Sequence, residues 1–206
     1  MALYVVRHPL IDDILARIRD RNTLPDEFRR LARRISLLLV TEATRDLVLE
    51  PGSVETPLET AQVKRLASRV VAVPVLRAGL GMLEAFLDLV PQAQVGYFGL
   101  ERDEETAVAR RYYEKVPADL SGAVVFLLDP MLATGGSARM AQEGLQDLGA
   151  KQIRLLSIVA APEGVALLEQ HVPDASIYTA ALDRELDYRK YILPGLGDFG
   201  DRLYGT

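Results

Sequence analysis

Val124-Val125-Phe126-Leu127-Leu128-Asp129-Pro130-Met131-Leu132-Ala133-Thr134-Gly135-Gly136-Ser137 is the run from which the architecture of this chain can be read. Five consecutive apolar residues, with β-branched and aromatic members, describe a strand. An acid follows at once. A Thr-Gly-Gly-Ser turn then opens a segment in which Met140, Leu145 and Leu148 suit a helix. Glycines let the backbone approach a ligand closely, and the unpaired N–H groups of a helix start attract an anion. Thr134 and Ser137 add hydroxyl donors, and Asp129 can accept hydrogen bonds from sugar hydroxyls beside a bound phosphate. A plain strand-to-helix turn with Ser or Thr capping is the alternative. Apolar strand, terminal acid and Gly-Gly turn in combination favour the anion site.

The same texture continues on both sides. Residues 70–76 (Val-Val-Ala-Val-Pro-Val-Leu) read as a buried strand, followed by a helix through Met82, Leu83, Phe86 and Leu87. Residues 94–100 are a further strand candidate, and 108–116, with Tyr112 and Tyr113, can pair in a hairpin. Residues 153–160 and 176–182 read as strands on either side of a helix at 163–170. Upstream, Ile11, Ile14, Leu15 and Ile18 share one helical face. Phe28, Leu31, Ile35, Leu38 and Leu39 continue a similar pattern after Pro25, until Pro51-Gly52 stops it. Alternating short strands and helices predict an α/β fold with a mostly parallel central sheet flanked by helices. One domain over 1–206 is expected: a helical N-terminal segment (1–50), an α/β core (70–182) with a β-hairpin arm, and a C-terminal segment (183–206). Ligands of such sheets bind beyond the carboxyl ends of the strands, which directs attention to the loops after Leu76 and Leu128.

Composition narrows the functional classes. The 206 residues, 49% hydrophobic and 26% charged, suit one globular domain with a substantial core. The run at 70–76 is the longest apolar one and far too short to cross a bilayer. Met-Ala-Leu-Tyr-Val-Val-Arg-His-Pro at the start lacks a basic segment followed by a long apolar stretch, so no signal peptide and no membrane partner are expected, and cytoplasm is the expected compartment. With no cysteine, disulfides, thiolate metal sites and a Cys nucleophile are excluded. A net charge of −5 argues against broad nucleic-acid binding through a basic surface. His8 and His171 complete no triad or metal cluster, and a structural role is expected for both. No Gly-Lys-Ser/Thr follows a glycine at phosphate-loop spacing.

Gly195-Leu196-Gly197-Asp198-Phe199-Gly200 matches the dinucleotide fingerprint G-x-G-x-x-G letter for letter. That fingerprint needs a preceding strand, a following helix and an acid about 20 residues on. Only six residues remain after Gly200, so a nicotinamide-type dehydrogenase is the weakest reading. A kinked Gly-rich segment can instead offer backbone N–H and C=O groups to a flat base.

The run at 129–137 resembles the signature with which phosphoribosyltransferases bind phosphoribosyl pyrophosphate (5-phospho-α-D-ribose 1-diphosphate, PRPP). Asp-Pro-Met-Leu-Ala-Thr-Gly-Gly-Ser, with Pro130 where most of them carry a second acid, is similar to the uracil phosphoribosyltransferase form. Three further blocks extend the likeness: Val-Leu-Arg-Ala-Gly-Leu-Gly-Met (75–82), Tyr-Ile-Leu-Pro-Gly-Leu-Gly-Asp-Phe-Gly-Asp-Arg (191–202), and the early segments His-Pro-Leu (8–10) and Thr-Glu-Ala-Thr-Arg-Asp (41–46). The resemblance runs along essentially the whole chain, with its segments in the family's order.

What the resemblance implies can be stated residue by residue. The PRPP loop would be Asp129, Pro130, Met131, Leu132, Ala133, Thr134, Gly135, Gly136 and Ser137. Arg77 would hold the leaving pyrophosphate, in a loop that in this family often contains a non-proline cis peptide; a surface ion pair is the alternative for Arg77. Arg102, on a hairpin, would reach the same group, although four surrounding acids also suit a solvated turn. Ile192, Gly197, Asp198 and Phe199 would bind uracil, with Asp198 also near the donor. Phe199 stands where Ala is common in bacterial relatives, and an altered base pocket can follow. Asp129, Arg77 and Asp198 would be the catalytic residues. Magnesium would arrive bound to PRPP rather than to a protein cage. A homodimer or homotetramer and a GTP effector complete the implied picture. Another base as substrate, or a nonenzymatic regulator that binds pyrimidine nucleotides and RNA, are the rival readings.

Overall fold

The computed structural model describes residues 2–102 and 109–206, with only the backbone of Glu101, Arg102 and Ala109 described. The chain begins with strand β1 (Ala2–Val5) and helices α1 (Pro9–Ile18) and α2 (Pro25–Ala43). A hairpin follows, β2 (Leu49–Glu55) and β3 (Thr60–Leu66), then β4 (Arg69–Leu76) and α3 (Leu80–Leu89). Strands β5 (Gln94–Val95), β6 (Tyr97–Arg102) and β7 (Ala109–Lys115) come next. The central unit is β8 (Ala123–Leu128), β9 (Met131–Leu132) and α4 (Gly136–Asp147). Then come β10 (Gln152–Ala160), α5 (Pro162–His171), β11 (Ser176–Leu182), the short β12 (Glu185–Leu186) and β13 (Ile192–Leu193), and α6 (Phe199–Tyr204).

The main sheet runs β1-β11-β10-β8-β4-β6-β7. All its pairings are parallel except β6–β7 at the edge. The expected α/β architecture is therefore present. Period-2 alternation splits the apolar strands between two cores. Val124, Phe126 and Leu128 of β8 face a core shared with α1, α2, α3 and α6. Ala123, Val125 and Leu127 face the other core, closed by α4 and α5. Pro74, with no N–H to give, falls where the ladder passes from β5, opposite Val71 and Ala72, to β6, opposite Val75 and Leu76. The single strand expected at 94–100 is thus two, divided at Gly96.

The expectation of helix from the start to Pro51-Gly52 needs correction at both ends. β1 precedes the helices and extends the main sheet beside β11. α2 ends at Ala43, where the Thr44 hydroxyl donates to the Val40 carbonyl and Arg154 of β10 donates to the Ala43 carbonyl. Pro51 and Gly52 lie inside β2, opposite Lys64 and Val63. A two-stranded ribbon has solvent on both outer edges, so a missing N–H costs it little. Its near-absence of buried side chains explains why periodicity did not reveal it.

Phe126 sits at the centre of the larger core, fully buried, with its ring centroid 4.9 Å from that of Phe86. The Arg154 guanidinium lies 5.6 Å from the same ring. Phe126→Ala should lower unfolding free energy by about 3–5 kcal/mol, the usual cost of such a truncation in a core that cannot fully collapse. Urea titration followed by circular dichroism would measure it.

Candidate active site

β8 delivers Asp129 to the carboxyl edge of the sheet, and the chain then detours before α4 begins. The detour is fixed by buried hydrogen bonds. The Pro130 carbonyl accepts from the N–H groups of Ile158 and Val159, and Ala161 N–H donates to the Leu132 carbonyl. The buried Ser157 hydroxyl donates to the Asp129 carbonyl at 2.7 Å and accepts from Leu132 N–H at 3.0 Å. Pro130 and Leu132 are therefore scaffold: both are buried and neither lines the pocket described below. Ser157 is a supporting residue that no local motif announced. Gly135 caps α4 at φ +82°, a left-handed conformation that other residues rarely adopt, and a Cβ there would stand 2.9 Å from the Gly164 carbonyl oxygen. The result is a run of backbone amides, from Gly135 on, at the start of a 12-residue helix.

The second loop leaves β4 through a cis Leu76–Arg77 peptide and enters α3 at Gly79. The turn folds back on its own strand, with Gly79 N–H donating to the Val75 carbonyl at 2.8 Å. A Cβ on Gly79 would lie 2.3 Å from the Leu128 carbonyl oxygen, so only glycine allows this loop to lie against the end of β8. Tyr204, at the end of α6, supports the loop from outside. Its hydroxyl donates to the Arg77 carbonyl at 3.3 Å, and the Arg77 guanidinium stands 5.8 Å from its ring. Burial raises the Tyr204 phenol above its ordinary pKa, while the Arg77 charge pulls it the other way.

The C-terminal segment forms the third wall. Asp187 accepts from the N–H groups of Arg189 and Tyr191, both at 2.8 Å, which turns Lys190 into a left-handed conformation at φ +68°. Leu193–Pro194 is a cis peptide. Asp198 then caps α6 by accepting from Asp201 N–H at 2.9 Å. Phe199 is buried, edge-on to Phe28 with centroids 5.1 Å apart. The G-x-G-x-x-G letters thus span a loop and the first turn of a six-residue helix rather than a dinucleotide-binding turn.

These walls enclose a pocket of about 460 Å3, within the range of small-ligand sites. Of the residues expected from sequence, Arg77, Asp129, Met131, Ala133, Ser137, Ile192, Gly197, Asp198 and Phe199 line it. Thr134, Gly135 and Gly136 are not part of its lining but form the turn between Ala133 and Ser137, which are. Arg102 ends the described part of β6, paired with Ala109, and its side chain lies outside the described residues. The walls also include Arg189 and Lys190, which sequence reasoning missed. The signal was a pair of cations directly before the 191–202 block. His8 caps α1, its Nδ1 accepting from Leu10 N–H at 3.1 Å, and His171 Nδ1 lies 2.9 Å from the Leu167 carbonyl. Neither histidine lines the pocket. Among the described residues no group of three or more His, Cys, Asp or Glu is placed to cage a metal ion.

Gly79→Ala tests the close approach of the two loops. It should leave far-ultraviolet circular dichroism near wild type yet weaken inorganic pyrophosphate binding by about tenfold, or about 1.4 kcal/mol, in isothermal titration. Wild-type affinity would mean that the loop can move without harm.

Comparison with known proteins identifies the family. A sequence family described as uracil phosphoribosyltransferase matches residues 5–206. The uracil phosphoribosyltransferase of Shouchella clausii is 49% identical over 205 residues, covering 99% of this chain and 98% of that protein. The structure of the AQ2163 protein from Aquifex aeolicus superposes with a TM-score of 0.95 at 36% identity, covering 99% of this chain and 98% of that one. A hypoxanthine phosphoribosyltransferase from Staphylococcus aureus, at 14% identity and a TM-score of 0.50 over 81% of this chain and 84% of its own, shares the fold alone. No described helix is long and apolar enough to cross a membrane. With a family match over nearly its whole length, this chain belongs to the uracil phosphoribosyltransferase family.

Proposed function

We propose that the chain transfers the 5-phosphoribosyl group of PRPP to N1 of uracil, giving UMP and diphosphate, and that the pocket between the β4, β8 and C-terminal loops is where it does so. The observation that carries this reading is the convergence of Arg77, Asp129, Ser137 and the 192–199 segment on one cavity, in a chain 49% identical to a protein of that name. The amides around Gly135 and the start of α4 suit a phosphate monoester. Asp129, beside them, suits the ribose hydroxyls. Arg77 suits the diphosphate, since a guanidinium pairs with phosphate oxygens through two parallel hydrogen bonds. Main-chain groups at Ile192 and Gly197, with Phe199 beside them, suit the edge and face of a pyrimidine. A site that hydrogen-bonds its base rejects bases that would leave those groups unpaired.

The chemistry follows from where charge develops. As the bond from C1 of the ribose to diphosphate lengthens, positive charge grows on the sugar and negative charge on the leaving group. N1 of uracil forms the new C–N bond and its proton passes to solvent. The Asp129 carboxylate stabilises the sugar side, assisted by Asp198, and Arg77 stabilises the leaving group, with Arg102 as a further candidate. Fixed charges of this kind need no rearrangement during the step and supply much of an enzyme's rate. A strongly cationic ribose requires no general base. Asp129 and Asp198 line the same cavity, and Mg2+ characteristically binds one or two carboxylates together with substrate phosphates. The two aspartates fit an ion that travels on PRPP. When bound, Mg2+ neutralises charge on the diphosphate. The same reading expects a cytoplasmic homodimer or homotetramer, without nucleic-acid partners and with GTP as an effector; light scattering with and without GTP would test the assembly.

Three outcomes are expected. Given PRPP, Mg2+ and a panel of uracil, cytosine, orotate, adenine, guanine and hypoxanthine, the protein should release diphosphate with uracil alone; turnover of another base would overturn the reading of the tail. Arg77→Ala should lose about 3 kcal/mol of transition-state stabilisation, a fall in kcat on the order of a hundredfold, and a loss below about tenfold, or about 1.4 kcal/mol, would remove Arg77 from the catalytic set. Chelation with EDTA should stop turnover, and added Mg2+ should restore it.

A further inference from the structure

Behind the base-reading loop lies a set of charged side chains that line no part of the pocket. Arg19, at the C-terminal cap of α1, sends its guanidinium to Asp183 in a two-pronged pair, Nη1 to Oδ2 at 2.8 Å and Nη2 to Oδ1 at 2.7 Å. The same Nη1 donates to the Gly195 carbonyl at 2.7 Å. Gly195 N–H in turn donates to Asp183 Oδ2 at 2.8 Å. Asp183 and Arg19 thus hold Gly195 by both its backbone groups. The carboxylate is 6% exposed and the guanidinium side chain 23%.

Arg202 grips the next residue from the other side. Its Nη1 donates to the Leu196 carbonyl at 2.8 Å and to the Ile18 carbonyl at 2.6 Å, and its Nη2 donates to the Asp20 carbonyl at 2.6 Å. The guanidinium lies 4.5 Å from the centre of the Phe28 ring. Its burial lowers its pKa, a cost that the three carbonyls and the ring offset. Gly195 and Leu196 lie between Ile192 and Gly197, both of which line the pocket. Their carbonyls are committed to the arginines, which fixes the orientation of the peptide units on either side. Arg19 and Arg202 converge on one anchor, the end of α1 at residues 18–20.

We propose that Arg19, Asp183 and Arg202 are positioning residues for the base, setting the angle at which the main chain of 192–197 meets uracil, while making no contact with the loops that carry Arg77 and Asp129. The inference rests on the proposed function, since it names how that same site holds its acceptor. Asp183 is the pivot. As a carboxylate it takes donors on both oxygens, from Arg19 and from Gly195. An amide has one acceptor oxygen, and its NH2 would face one of those donors. Loss of an orienting contact of this kind shifts a reacting group by a fraction of an ångström, enough to change binding of one substrate selectively.

The test is steady-state kinetics of Asp183→Asn in the full chain, with each substrate varied in turn. The uracil KM should rise about tenfold, with the PRPP KM within about twofold and kcat within about threefold of wild type. Arg19→Lys, which keeps the charge but loses the fork, should give an intermediate rise. A merely structural role would lower the active fraction, and hence kcat, without separating the two KM values. Parallel rises in both, or an unchanged uracil KM in a variant with wild-type circular dichroism, would overturn the proposal. Should Asp183→Asn fail to fold, Arg19→Lys carries the same comparison. The wild type is assayed alongside on the full panel of bases. If it prefers another base, the uracil reading fails while the KM for that base still decides on the clamp. A wild type inert with every base sinks both.

Discussion

Two parallel strands that end side by side must send their chains off the ladder through the same small space, and the structure depends on how that crowding is resolved. β4 and β8 are paired from Arg69 opposite Ala123 to Pro74 opposite Leu128. The loop after β4 then passes so near the last carbonyl of β8 that a single methyl group at Gly79 would collide with it. The two loops that carry Arg77 and Asp129 meet because the strands beneath them are in register and because glycine permits the contact. A cationic and an anionic residue thereby come to line one cavity.

Around that contact the molecule adds a third wall from its far end. Phe199 and Leu203 of α6 pack over Gly81 of α3, and Tyr204 reaches the Arg77 carbonyl. The C-terminal segment that lines the pocket is therefore also a brace for the loop that carries Arg77. Both walls of the pocket share one support, while each retains its own polar contacts.

The parts legible in the sequence were those where burial writes a pattern. Val124 to Leu128 could be read because a strand covered on both faces is apolar at every position, and Gly135 because a left-handed cap demands it. The ribbon of β2 and β3 could not, since it buries almost nothing and carries Pro51-Gly52, which ordinarily ends an element. Ala2 to Val5 are too few to show a period. In the site, Arg77, Asp129 and the 192–199 residues stood inside recognisable runs, whereas Arg19 and Asp183 stood in none. Their pairing joins positions 164 residues apart, and nothing local in either neighbourhood reports it. Ser157, which ties Leu132 to Asp129, was hidden in the middle of an apolar strand for the same reason.

The contacts between α1 and the tail also have a temporal side. Arg202 joins residues 182 and 184 positions away in sequence, among the longest chain closures the protein can make. Such closures are entropically costly and slow a fold that depends on them. During synthesis the N-terminal helices leave the ribosome long before the residues they must meet, so the acceptor wall can be assembled only after the last turn of helix has emerged. Until then the core that α1, α2 and α3 form on one face of the sheet lacks Phe199 and Leu203. The wall built by residues 192–199 is thus the part of the pocket whose completion depends most on contacts that span nearly the whole sequence.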